Sequence, residues 1–152
     1  MPLTDSQTDW AIAFGEEIKQ KQSATNREMQ SVSMHRDIEA EHMPLRWQEV
    51  LVAFQDHCTA YNDLIKPERP LALHRTGAHS FMIRPDALSE IVNGTYDYQT
   101  KRITIRTRKG TELYLPHVVL IGSGTAELFS YQRQRTITPT EIAQTTLELA
   151  LR

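Results

Sequence analysis

Leu45–Ile65, LRWQEVLVAFQDHCTAYNDLI, is the stretch whose reading decides the fold. Trp47, Leu51, Phe54, Cys58, Tyr61 and Ile65 recur at alternating spacings of four and three, which winds one apolar stripe down a helix with Val50 beside it. Gln48, Glu49, Gln55, Asp56 and Asn62 fall between the stripe positions and suit a wetter side. A stripe with two large aromatics needs a surface to bury it, and the second half of the chain reads as a sheet able to receive it.

Working back from Leu45, residues 5–18 read as helix, with Trp10, Phe14 and Ile18 at spacing four. From Lys19 to Arg36 the apolar points thin to Ala24, Met29, Val32 and Met34, yet no Gly or Pro interrupts Glu16 to Met43. The expectation is one long, wet helical arm to about His42, with two helices joined near Ser23 as the alternative. A helix that cannot bury itself alone is often buried by a partner, so a homodimer through this N-terminal helix is expected. Met43-Pro44 reads as a boundary between an arm, 1–43, and an α+β core domain, 44–152, because the residue before proline is pushed away from helical angles.

Working forward, Lys66-Pro67-Glu68-Arg69-Pro70 closes the helix, and the period then switches to two. LALHRT and HSFMIR around Gly77-Ala78 read as an antiparallel pair. Pro85 to Val92, followed by Asn93-Gly94, reads as a short inward-turned helix, with a bulged strand as the alternative. Thr95–Tyr98, Arg102–Arg108 and Thr111–Leu115 read as a meander. Val118–Ile121 and Thr125–Gln132 read as a hairpin around Gly122-Ser123-Gly124, and Pro116 marks an edge or bulge. Thr138, Pro139 and Glu141 spell a helix start with a capping box, stapled by Ile137 and Ile142, for a helix to Leu151. The predicted fold class is α+β: a helical arm and long amphipathic helix on an antiparallel sheet of about five or six strands, closed by a C-terminal helix.

The 152 residues suit one domain, and no apolar run reaches the roughly 20 residues of a membrane span. The start, MPLTDSQTDW, lacks the basic and apolar regions of a secretory signal, and a lone cysteine makes no internal disulfide, so a cytoplasmic protein is expected. Cys58, on the apolar stripe, reads as a buried structural thiol. The net charge of −2 is unevenly spread. Residues 1–65 carry five Lys/Arg against eleven Asp/Glu, and residues 66–152 carry twelve against eight.

Motifs for chemistry are sparse. Gly122-Ser-Gly124 follows an apolar strand, but Glu127 stands where a dinucleotide fingerprint needs a small residue. His35, Glu39 and His42 share a helical face without a second ligand set, and His74 and His79 flank a turn without an acid or thiol, so no metal is expected. His57 is adjacent to Cys58 but points about 100° away from it on a helix. No catalytic motif is present, the enzyme class stays open with a lean toward none, and no cofactor is implied.

The strand Arg102–Arg108 places Ile103 and Ile105 on one face and Arg102, Arg106 and Arg108 on the other, with Tyr96 and Tyr98 expected beside the arginines as packing surface. Arg133 and Arg135 are expected to share a face of a later strand and to extend this basic surface. The function expected is an interaction or ligand-binding module with a basic sheet face for an acidic protein partner. Single-stranded nucleic acid is a weaker alternative, given the slightly negative chain. The rival class is a small enzyme or small-molecule fold with a pocket between helix and sheet, where Tyr61, His74 and His117 would converge.

Overall fold

The structure is a computed structural model that describes residues 5–86, 88–120 and 124–152. Its elements are α1 (Asp5–Ile65), β1 (Leu71–Gly77), β2 (Ser80–Pro85), β3 (Val92–Asp97), β4 (Arg102–Thr107), β5 (Gly110–Val119), β6 (Thr125–Ser130), β7 (Arg135–Ile137) and α2 (Pro139–Leu151). The fold is α+β, as the periodicity indicates. The chain divides into two compact units, Met1–Asp37 and Ile38–Arg152.

α1 runs unbroken through Met43-Pro44, where the sequence pointed to a boundary. Proline cannot donate to the carbonyl four residues back, which belongs to Ala40. Ala40 and Pro44 are both exposed, so water can take that carbonyl, while Met43 and Trp47, one and three residues from the proline, are buried. Burial of those two large side chains outweighs the local penalty of the proline.

In the unit Met1–Asp37 the apolar points have no cover: Trp10, Phe14, Ile18, Met29 and Val32 are all exposed, Trp10 by 67%. The Trp10 and Phe14 rings stack at 5.4 Å.

In the unit Ile38–Arg152 the organising stripe behaves as read. Trp47, Val50, Phe54 and Cys58 are buried, and Tyr61 packs against the core. Ile65 departs from the expectation at 61% exposed, because the helix ends there. Lys66 takes a left-handed φ of 48° and its amide donates to the Asn62 carbonyl, capping the helix. The Asn62 side chain then holds the first residue of β1 at both backbone groups, donating to the Leu71 carbonyl and accepting from its amide, each at 2.9 Å.

The sheet is a seven-stranded meander in chain order, every neighbour antiparallel. It has more strands than expected because Arg135–Ile137 adds a short seventh. Val118–Val119, expected in a strand of its own, instead continues β5. One face carries the core: Leu73 opposite Ile83 and Val92, Phe81 opposite Gly94 and Ile105, and Tyr96 opposite Ile103 and Tyr114. Phe81 meets Phe54 at 5.0 Å and Trp47 at 5.7 Å. Pro116 sits beyond Tyr114, the last β5 residue paired with β4, so its missing N–H costs no ladder bond.

The expected helix at 85–92 is absent among the described residues. Asp86 turns, the Leu88 amide returns to the Pro85 carbonyl, and Ile91 donates to Ile83 before β3 begins. The β-branched Ile91 and Val92 bury by joining the sheet beside Ile83 instead. Gly94 is therefore no helix stop; a Cβ there would lie 2.2 Å from the Phe81 ring. Ala87 and the Ile121–Ser123 part of the expected glycine hairpin fall outside the described residues. α2 starts as read, with Thr138 Oγ1 accepting from the Glu141 amide and Ile137 and Ile142 both buried.

Candidate functional site

With Ile103 and Ile105 buried against the helix, strand alternation turns Arg102, Thr104 and Arg106 outward, and both arginines are exposed. Cross-strand register extends this outer face. Arg106 lies opposite Asn93 and Thr111, Asn93 opposite Met82, and Met82 opposite His74. Thr104 lies opposite Thr95 and Leu113. Arg108 is in the exposed turn after β4 rather than on the strand face.

Among the described residues, Arg84, Arg106 and Arg108 make no ion pair. Arg102 has Asp97 directly across the ladder. The Asp97 carboxylate is held below its ordinary range by the backbone amides of Gln99 and Thr100 first, with Arg102 adding a smaller pull. Other arginines are already engaged. Arg46 pairs with Glu49 and Glu127, Arg135 with Glu141 at 2.9 Å, and Arg133 approaches Glu112. Arg133 and Arg135 therefore do not extend the basic face.

The two tyrosines part ways. Tyr96 shares strand parity with Val92 and Gly94, so it faces the core, 5% exposed, with its ring on Trp47 at 5.8 Å. Burial first, and then Asp97, pushes its phenol above the ordinary value. Tyr98 lies past the end of β3, exposed, with its ring 5.5 Å from His79. Of these two tyrosines, Tyr98 is the one on the surface.

The outer face also holds an apolar strip that the sequence reading missed. Leu113 and Leu115 of β5 and Phe129 of β6 are half-buried on this side, Leu115 directly opposite Phe129, and the His117 ring lies 6.0 Å from Phe129. The strip was hidden because β5 is apolar in both parities: Leu113 and Leu115 on one, Tyr114, Pro116 and Val118 on the other.

Tyr61, His74 and His117 do not converge. Tyr61 lines an open hollow of about 360 Å³ with His57, Gln144, Leu147 and Glu148, on the helical side of the sheet. His74 and His117 stand on the opposite, outer side. A second hollow of about 210 Å³ is lined by Ile105, Glu112, Thr146 and Leu149. Beside it the Tyr114 hydroxyl donates to Glu112, and burial, reinforced by Glu112, pushes the Tyr114 phenol upward. Burial likewise pushes the Cys58 thiol up to about 11. Both groups keep their protons at neutral pH. Among the described residues no three His, Cys, Asp or Glu side chains are grouped to hold a metal ion, and no helix is long and apolar enough to cross a membrane. No family model, curated protein or solved structure matches the chain.

Proposed function

We propose that the chain is a protein-interaction module whose outer sheet face engages a partner segment carrying carboxylates beside apolar side chains. The observation that supports this reading is the juxtaposition on one open surface of Arg102 and Arg106 with the half-buried Leu113–Leu115–Phe129 strip. Arg106, which among the described residues has no acid of its own, keeps its full field for a partner, and a neighbouring apolar strip supplies area to bury. A single-stranded nucleic acid would want stacked aromatics, and the burial of Tyr96 leaves Tyr98 as the surface aromatic near the arginines.

The test uses a labelled peptide of Glu-Leu-Pro repeats, whose prolines stop it adding to the sheet as a strand. Binding is expected to weaken with added salt and to drop about tenfold, or ~1.4 kcal/mol, in the Arg102→Glu/Arg106→Glu/Arg108→Glu variant. Undiminished binding by that variant overturns the reading, and salt-sensitive capture of oligothymidylate in place of the peptide replaces it with the nucleic-acid one.

A further inference from the structure

The two backbone bonds from Asn62 fix which way β1 faces. In an antiparallel pair, alternate residues turn both N–H and C=O toward the neighbouring strand, and those between turn both away. Leu71 gives its N–H and C=O to Asn62, on the side away from β2. The Asp86 amide bonds the Pro70 carbonyl, so the even positions face β2. By the same alternation Ala72 and His74 bond β2 through their registers with Arg84 and Met82. Leu73 and Arg75 then direct their amides and carbonyls outward, and neither has a backbone partner among the described residues.

Among the described residues, the other exposed edges of this sheet are blunted. The stretch of β6 before its pairing with β7 has its Ala126 carbonyl taken by Arg46 Nε at 2.9 Å. The β5 stretch beyond β4 carries Pro116, and β7 is three residues long. Natural sheets cover or shorten their edges because free N–H and C=O groups recruit foreign strands. β1 is seven residues long, carries no proline, and among the described residues is covered at Leu71 alone.

We propose that the β1 edge is a docking site for an extended peptide, which adds to the sheet as an eighth strand through the backbone groups of Leu73 and Arg75. Asn62 stands in for one residue of that strand, so the added ladder starts at Leu73. Side chains of the guest on the helical side would lie beside Leu73 at the rim of the core, and favour apolar residues there, with Arg75 at the far end of that face. On the outer side they would meet His74 and, across from Ala72, Arg84, which favours carboxylates there. The same charges disfavour a second copy of this chain, because pairing β1 with itself would set His74 against His74 on a face that already carries Arg84 from each copy. The guest is therefore a strand of alternating apolar and acidic residues, recognised by backbone bonds with side chains setting the choice.

The probe is a fluorescein-labelled peptide of alternating Val and Glu, against the full chain. Saturating peptide is expected to slow hydrogen exchange at the Leu73 and Arg75 amides. Arg75→Pro removes an edge-facing N–H without removing a ladder bond, so it keeps the thermal transition and abolishes binding, while Arg75→Thr, which keeps the N–H, retains binding. A Val-Lys peptide binds more weakly. The inference is overturned by absence of binding at millimolar peptide, by binding that survives Arg75→Pro, or by exchange at these two amides that slows with protein concentration alone, which would assign the edge to a second copy.

Discussion

Asn62 does with its side chain what a strand residue does with its backbone, and that one substitution of roles joins helix to sheet. In the sequence it sits among the polar positions between stripe residues, indistinguishable from Gln55 or Asp56, because its partner is nine residues away across a proline turn. Cys58 and Tyr114 are residues of the opposite kind, legible in part as core, whose consequence is a pH dependence. Both are acids whose neutral form the fold favours, by burial in each case and by Glu112 in addition for Tyr114. Unfolded thiols titrate near pH 8.5 and phenols near pH 10. Above pH ~9 the unfolded chain therefore releases protons that the folded chain keeps, and stability falls as pH rises. Urea midpoints measured from pH 7 to 10.5 should be level at first and then decline. Cys58→Ala should make the earliest part of that decline shallower.

At the scale of the element, α1 shows a local rule losing to packing. Pro44 gives up one helical hydrogen bond, yet it is itself exposed in a helix that buries Met43 and Trp47 close by. Replacing it restores a donor to the Ala40 carbonyl and disturbs no buried contact. Pro44→Ala should therefore stabilise the protein by about 2 kcal/mol, less whatever proline contributes by stiffening the unfolded chain. A rise in the thermal midpoint checks this, and an unchanged or lower midpoint means the proline makes a contact the exposed position does not suggest. α2 is the contrasting case. Thr138, Pro139 and Glu141 declare its start because the groups they satisfy lie within three residues, and the structure uses them as read.

At the scale of the whole molecule, the unsatisfied surface is the arm. Trp10, Phe14, Ile18, Met29 and Val32 share one helical face within an arc of about 100°, and all five are exposed. The cover proposed for them is a second copy, through the pairing of two arms. The two interspersed charges on that face, Lys21 and Glu28, are opposite in sign. Set antiparallel, two arms can bring Lys21 of each near Glu28 of the other, whereas parallel arms stack like on like. Sedimentation should find the full chain associating and a chain beginning at Ile38 monomeric and folded, since the buried core begins at Met43. A monomeric full chain at tens of micromolar removes the proposal.

The sequence by itself determined what depends on neighbours a few residues apart: the stripe from Trp47 to Cys58, the inward parity of Ile103 and Ile105, the cap at Thr138, and from these an α+β fold with an outward arginine row. Register and edges were decided only in three dimensions. Tyr96 faces the core because register sets it opposite the buried Ile103, and Leu113 belongs to the outer surface because register sets it opposite Thr104. β1 is open because, among the described residues, no backbone or side-chain group bonds its outer edge beyond Leu71. Strand pairing joins residues far apart along the chain, and a shift of one position sends every side chain to the other face, so parity can be read locally while the face it serves cannot.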